Sequence, residues 1–181
     1  LTPSGDLSGG GGELPPDDAA VEARGWVKAG FKSMKIKVGS DLRQDIERVL
    51  AIRDVVGASV RLRMDANEQY SVKQALELDE AVKNCDLELF EQPVIRSDLE
   101  GLAEVRRNCK TPIMADESIS DHSSLLRVIR ADCADYVKFG VAQAGGVLAA
   151  GKMISTAAAA GLKVVMGHGF GLNPSTMAEI M

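Results

Sequence analysis

The chain has 181 residues, of which 45% are hydrophobic, so it can bury a substantial core as a globular protein. Its formal net charge of −5 and its scattered lysines and arginines argue against general nucleic-acid binding. No apolar run approaches the roughly 20 residues that span a bilayer, and the chain opens with no signal-peptide pattern, so we expect no membrane partner and a cytoplasmic location.

The first 18 residues predict a loop that leads into a helix, because they contain a glycine run at residues 9–12 and the Pro15-Pro16 pair. The glycine run lacks the G-x-x-x-x-G-K-[ST] arrangement of a phosphate-binding loop, and no clear strand precedes it. We expect Asp17 or Asp18 to cap a helix that runs to about residue 29. The chain is expected to start inside or just after a first strand.

Strands and helices alternate regularly along the rest of the chain. The first predicted strand, residues 34–38, alternates apolar residues with Lys35 and Lys37, which therefore share one face. The elements predicted after it are helix 41–56, strand 60–65, helix 71–84, strand 87–91, helix 97–108, strand 112–116, helix 121–130, strand 135–140, helix 146–160 and strand 163–167. This alternation predicts an α/β fold with a parallel (β/α) barrel of the TIM type, and a doubly wound sheet is the alternative. In a barrel neither face of a strand is wet, so the two lysines would project into the barrel mouth.

Three acidic residues, Asp65, Glu91 and Asp116, each follow a predicted strand at intervals of 26 and 25 residues. In a parallel barrel all three carboxylates emerge at the carboxyl-terminal rim, where such barrels place their active sites. Converging carboxylates repel one another unless a cation lies between them, and hard oxygen ligands suit Mg²⁺ better than a softer metal. The repeat therefore predicts a Mg²⁺ site, although each residue alone is explained equally well as a helix cap or a solvated loop residue.

The three cysteines show no metal-ligand spacing. Cys85, Cys109 and Cys133 are odd in number and form no C-x-x-C pair. We interpret them as reduced core or helix residues, and nothing in the pattern supports a reactive thiol.

Taken together, these motifs resemble the barrel domain of the enolase superfamily, in the mandelate racemase and muconate lactonizing enzyme group. The resemblance covers residues 15–181 and rests on K-x-K at Lys35 and Lys37, D-x-N at Asp65 and Asn67, E-Q-P at Glu91, D-E-S at Asp116, and a Lys-bearing sixth strand before Gly145-Gly146. It implies that residues 1–181 are a partial barrel. An N-terminal α+β capping domain and the C-terminal end of the barrel are expected to lie outside this chain.

The resemblance also implies an activity. Asp65, Glu91 and Asp116 would bind Mg²⁺, which holds the carboxylate of a small substrate whose α-proton is abstracted to give an enediolate. Lys37 would be the base, with Lys35 in electrostatic support, and racemisation, epimerisation or cycloisomerisation would follow. Beside a divalent cation and a second ammonium group, the pKa of such a lysine is expected to fall. The resemblance further implies Asn67 as a substrate-binding residue and a homo-oligomer in the full-length protein.

The second acid or base departs from the family pattern. In relatives this residue lies on the sixth strand, and four residues separate it from the Gly-Gly pair. The corresponding position here is Gly140. Lys138 lies on the same strand face but one layer deeper, so it is expected either to reach the site through a rearranged segment 141–144 or to be a buried structural lysine. His168 stands where some relatives carry a catalytic histidine, but Gly140 removes its aspartate partner. Asp135 has the wrong strand parity to substitute.

Three alternatives stay open from the sequence. A sugar-acid dehydratase would use His168 as the acid. A degenerate relative would be a non-catalytic or ligand-binding barrel. A Schiff-base aldolase would use Lys138 and need no metal. We prefer Lys138 as the partner of Lys37, because a histidine without its carboxylate is less well oriented.

Overall fold

Seven parallel strands form one sheet, and helices connect them. The structure is a computed structural model that describes residues 4–7 and 14–167, with side chains from residue 14 onward. The elements in chain order are β1 (Ser4–Leu7), α1 (Pro16–Lys28), β2 (Ser33–Lys37), α2 (Leu42–Val56), β3 (Arg61–Asp65), α3 (Val72–Ala81), β4 (Leu87–Glu91), α4 (Leu99–Asn108), β5 (Ile113–Ala115), α5 (His122–Ala131), β6 (Tyr136–Phe139), α6 (Val141–Ala144), α7 (Val147–Ala159) and β7 (Lys163–Met166).

The strand order distinguishes the two predicted architectures. Each strand pairs in parallel with the next one along the chain, so the order is β1-β2-β3-β4-β5-β6-β7. A doubly wound sheet reverses its strand order at one point, and this sheet does not. The described residues therefore form an incomplete (β/α) barrel of the TIM type, as the alternation predicted.

The first strand corrects the loop predicted for residues 1–18. Ser4–Leu7 pairs in parallel with β2, with Ser4 opposite Ser33 and Leu7 opposite Ile36. This segment has no β-branched residue, so its local pattern carries little strand signal and its extended form comes from pairing with β2.

Several helices begin as the capping rules predict. Asp41, Asp98 and Asp121 each accept a hydrogen bond from a backbone N–H in the first turn of the helix that follows, α2, α4 and α5 respectively. Helix α1 instead begins after Pro15, which offers no side-chain cap. Asp17 and Asp18 lie in its first turn, where a negative charge is favourable, so the capping role predicted for them is wrong.

The core lies between the sheet and its helices. Met34, Ile36, Leu62, Met64 and Phe90 are fully buried and belong to one hydrophobic cluster that includes residues of the helices. Burying a side chain of this size contributes about 1.5–3 kcal/mol. Because side chains alternate along a strand, burial of Met34 and Ile36 on one face directs Lys35 and Lys37 to the other. Among the described helices, none is long and apolar enough to cross a membrane.

Candidate active site

The two lysines of β2 meet the carboxylate at the end of β3. In the sheet register Lys37 lies opposite Asp65, which lies opposite Glu91. The Nζ atoms of Lys35 and Lys37 lie 2.9 Å and 2.7 Å from Asp65 Oδ2. The Asp65 side chain is 1% exposed, and both lysine stems are largely covered. The K-x-K and D-x-N motifs therefore converge at the carboxyl-terminal rim, as predicted.

Lys138 reaches the same rim from β6. Its Nζ lies 2.5 Å from Glu91 Oε1 and 2.7 Å from Asp116 Oδ2, so it bridges the ends of β4 and β5. Its ammonium group thus lies beside two of the carboxylates predicted to bind the metal. The segment after it, Val141–Ala144, forms the short helix α6, which the sequence reading did not predict.

Asn67 lies between a cation and an anion. Lys37 Nζ donates to Asn67 Oδ1 at 2.6 Å, and Asn67 Nδ2 donates to Glu117 Oε1 at 2.8 Å. The turn that places Asn67 uses the left-handed region, with φ of 42° at Asn67 and 72° at Glu68. In the structure Asn67, predicted as a substrate-binding residue, thus contacts the proposed base.

Two residues of the site, Gln92 and Glu117, were not predicted from the sequence. Only the carboxylates next to them in the E-Q-P and D-E-S motifs were assigned a role. Gln92 is fully buried, and its Oε1 accepts from the backbone N–H of Asp116 and Ser118 at 3.0 Å and 3.1 Å. Glu117 accepts from Asn67, as described above. The available signal was the polar residue directly after each acidic one, since a buried amide at a strand end must find partners.

The pKa values of the carboxylates at the ends of β3 and β4 are shifted in opposite directions. Burial raises the pKa of Glu91 to about 7, and the charge of Asp65 adds to the rise. Burial alone would also raise the pKa of Asp65. The charge of Lys35 and hydrogen bonds from Lys37 and Lys35 outweigh burial there and hold the pKa below its usual range.

The two lysines that face Glu91 have raised pKa values. Burial alone would lower the pKa of Lys35 and Lys138. The charges of Glu91 and Asp65 outweigh burial at Lys35, and those of Glu91 and Asp116 do so at Lys138. The pKa values of these two lysines are raised because carboxylates face their ammonium groups directly.

Asp65, Glu91 and Asp116 are the side chains that could hold a metal. Across residues 14–167, no three His, Cys, Asp or Glu side chains are arranged as they stand to hold an ion. Each of the three carboxylates instead contacts at least one lysine ammonium. Their donor set nevertheless fits Mg²⁺, because it consists of hard oxygens from three adjacent strand ends that already attract positive charge.

Two further residues considered in the sequence are His168 and Asp135. His168 lies outside the described residues. Asp135 precedes β6, where its carboxylate accepts from Arg106 Nε at 2.9 Å and from the backbone N–H of Ile113 at 2.8 Å. Asp135 thus belongs to a link between α4, β5 and β6 rather than to the rim, as its strand parity predicted.

Known proteins are similar to this chain in both sequence and fold. The chain matches the family described as Enolase C-terminal domain-like over residues 18–180. It is 39% identical over 152 residues to the hydrophobic dipeptide epimerase of Enterococcus faecalis. The aligned region covers 84% of this chain and 43% of that protein. A solved structure of dipeptide epimerase from Enterococcus faecalis, complexed with Mg and the dipeptide L-Leu-L-Tyr, gives a TM-score of 0.86 at 36% identity over 92% of this chain and 46% of that one.

A second solved structure is similar over nearly the whole chain. The substrate-liganded complex of the L-Ala-D/L-Glu epimerase from Bacillus subtilis gives a TM-score of 0.92 at 33% identity, over 99% of this chain and 50% of that one. The chain thus spans about half the length of the relatives it matches. With the family match covering most of its residues, the chain belongs to the Enolase C-terminal domain-like family, within the mandelate racemase and muconate lactonizing enzyme group.

Proposed function

We propose that this chain carries the catalytic residues of an enzyme that abstracts the proton α to a substrate carboxylate and returns a proton to the opposite face. The product would be the racemised or epimerised substrate. One observation carries this proposal: lysines approach the three carboxylates from different strands. Lys37 contacts Asp65 from β2, whereas Lys138 contacts Glu91 and Asp116 from β6.

Proton transfer at one carbon needs a base and an acid on opposite faces of that carbon. We assign Lys37 as the group on one face and Lys138 as the group on the other, with Lys35 supplying a fixed positive charge beside Asp65. Lys138 takes the place that Gly140 cannot fill. Its long stem offsets its deeper position on the strand, since its ammonium already lies within contact distance of two rim carboxylates.

The proposed metal is Mg²⁺, held by Asp65, Glu91 and Asp116. When bound, it would orient the substrate carboxylate and offset the negative charge that develops there as the α-proton leaves. The dipeptide epimerase from Enterococcus faecalis supports the choice of metal, because it was solved with Mg and a dipeptide.

The proposed substrates are dipeptides, since both named relatives are epimerases of dipeptides. Cycloisomerisation is the second candidate, because it begins with the same proton transfer and the arrangement of two lysines fits it equally. The dehydratase alternative depends on His168, which lies outside the described residues.

The test is α-proton exchange with solvent deuterium in the whole protein, with a panel of dipeptides and with or without Mg²⁺. We expect Mg²⁺-dependent deuterium incorporation, and inversion at one α-carbon, with at least one dipeptide. Inactivation by borohydride with a carbonyl substrate, without any need for metal, would contradict the proposal and favour a Schiff-base aldolase. Loss of a β-hydroxyl from a sugar acid would favour the dehydratase instead.

A further inference from the structure

The side-chain amide of Asn67 has one orientation that satisfies both of its neighbours. The ammonium group of Lys37 can only donate hydrogen bonds, and the carboxylate of Glu117 accepts them. The amide oxygen must therefore face Lys37, at 2.6 Å, and the amide nitrogen must face Glu117, at 2.8 Å. If the amide were reversed, two donors would meet at Lys37 and two acceptors at Glu117.

The backbone around Asn67 leaves little freedom except this amide rotation. The N–H of Asn67 donates to Asp65 Oδ1 at 3.1 Å, and the N–H of Glu68 donates to the carbonyl oxygen of Gln92 at 2.9 Å. These contacts hold the left-handed turn in place. When Lys37 is a neutral amine, which can also accept a hydrogen bond, Glu117 is the neighbour that still fixes which end of the amide faces Lys37.

The position of the Glu117 side chain is energetically unfavourable. Its Oε2 atom is buried and has no hydrogen-bond partner among the described residues. The neighbouring Ser118 donates its backbone N–H to the buried Gln92, which fixes the Glu117 backbone. Glu117 as a residue is half-buried, but a buried carboxylate oxygen without a partner destabilises a fold, so its presence calls for a compensating role.

We infer that Glu117 is a positioning residue for Lys37 and acts through Asn67. This inference rests on the proposed role of Lys37 as a base. A neutral lysine amine has two N–H groups and one lone pair, and the structure offers Lys37 two acceptors, Asp65 Oδ2 and Asn67 Oδ1. When both N–H groups are taken, the lone pair is left to face the substrate α-proton. The reversed amide would instead present its N–H groups to that lone pair.

The test compares α-proton exchange on the two faces of the substrate in the whole protein. Lys37→Ala first identifies the epimer whose α-proton Lys37 removes. In Glu117→Ala we expect exchange from that epimer to fall roughly 10- to 100-fold, the range expected for a lost hydrogen bond to a charged group. Exchange from the opposite epimer and the KM for both should change less than about twofold, because one face alone depends on Lys37.

A polarity swap separates positioning from simple loss of packing. Asn67→Asp should lower exchange on the Lys37 face, because the introduced carboxylate repels that of Glu117. Adding Glu117→Gln should restore much of it, since the glutamine amide donates to the introduced carboxylate, whose other oxygen still accepts from Lys37. Glu104→Ala, an exposed carboxylate on α4, is the matched control and should exchange normally. Thermal unfolding of each variant checks that it folds.

The outcomes are distinct. Three results would overturn the positioning role while leaving the proposed function intact. They are equal loss of exchange on both faces in Glu117→Ala, unchanged exchange in that variant, and no recovery in a double variant that folds. Absence of Mg²⁺-dependent exchange in the unmodified protein, for every dipeptide, would overturn both.

Discussion

Asp65 and Glu91 are carboxylates that expose 2% or less of their surface at the ends of adjacent strands. Burial of such groups is costly unless each finds an opposite charge. Lys35 and Lys37 neutralise Asp65, and Lys138 neutralises Glu91. At the scale of single residues, the rim is therefore a set of carboxylates whose charges are balanced by lysines.

Glu91→Gln tests the metal assignment. The change removes one negative charge but keeps the shape and one oxygen acceptor, so we expect Mg²⁺ affinity to fall at least about tenfold and turnover to be lost. Isothermal titration calorimetry of the whole protein measures the affinity. Glu88→Gln, an equivalent change at the other end of β4 where Glu88 contacts Arg63, is the matched control. Equal Mg²⁺ affinity in Glu91→Gln and the unmodified protein would remove Glu91 from the metal site.

The cysteines give a pH-dependent prediction. Burial raises the pKa of Cys109 to about 12, with the charge of Asp79 adding to it, and burial raises that of Cys133 to about 11. An ordinary thiol, with a pKa of about 8.5, is mostly thiolate at pH 9, whereas these two stay protonated. We expect iodoacetamide to label them slowly at pH 9 in the folded protein and quickly in urea.

The raised thiol pKa values of Cys109 and Cys133 also make the free energy of unfolding depend on pH. The folded state keeps these protons to a higher pH than the unfolded chain does. This contribution to the free energy of unfolding is therefore complete below about pH 8.5 and is lost as the pH rises towards the folded pKa values. Equal labelling rates in folded and unfolded protein at pH 9 would show that the thiols are not buried as described.

At the scale of elements, most strands and helices could be predicted from the sequence because their signals are local. The strand β4 begins and ends where alternation and the E-Q-P motif indicated. The strand β1 could not be predicted, since it depends on pairing with β2 rather than on its own residues. Helix α6 is only four residues long and carries too few positions for a helical period to be detected.

Gly39 lies in the loop after β2, the strand that carries Lys37, and its surroundings leave no room for a side chain. It follows β2 with φ of 131°, and an added Cβ would lie 2.6 Å from the Cβ of Gln69. Its N–H donates to the buried Asp45 at 2.8 Å. Gly39→Ala should therefore destabilise the fold by about 1–3 kcal/mol, through backbone strain and the close contact, and should displace the end of β2 that carries Lys37.

Urea unfolding of the whole protein measures that effect, and Gly25→Ala is its control. Gly25 lies in α1, where an added Cβ meets nothing within 4 Å. Alanine is favoured in a helix, so this variant should be more stable by about 0.5–1 kcal/mol. A Gly39→Ala protein as stable as the unmodified one would mean that the loop after β2 is less constrained than the contacts indicate.

At the scale of the whole molecule, convergence of the carboxylates and lysines could be predicted from strand parity and the barrel rule together. The reach of Lys138 could not, because it depends on how far one side chain extends across the sheet to β4. Nor could the link between Asn67 and Glu117, which are 50 residues apart in sequence. Such contacts are set by the packing of loops, which leaves no periodic trace.

The most direct test of proton transfer between Lys37 and Lys138 is the entry of solvent deuterium at the substrate α-carbon. In the whole protein with Mg²⁺ and a dipeptide substrate, we expect exchange from both epimers. Lys37→Ala should abolish exchange from one epimer, Lys138→Ala should abolish it from the other, and His168→Asn should retain both. Full exchange in Lys138→Ala together with its loss in His168→Asn would contradict the assignment of Lys138, and retained exchange from both epimers in Lys37→Ala would contradict the assignment of the base.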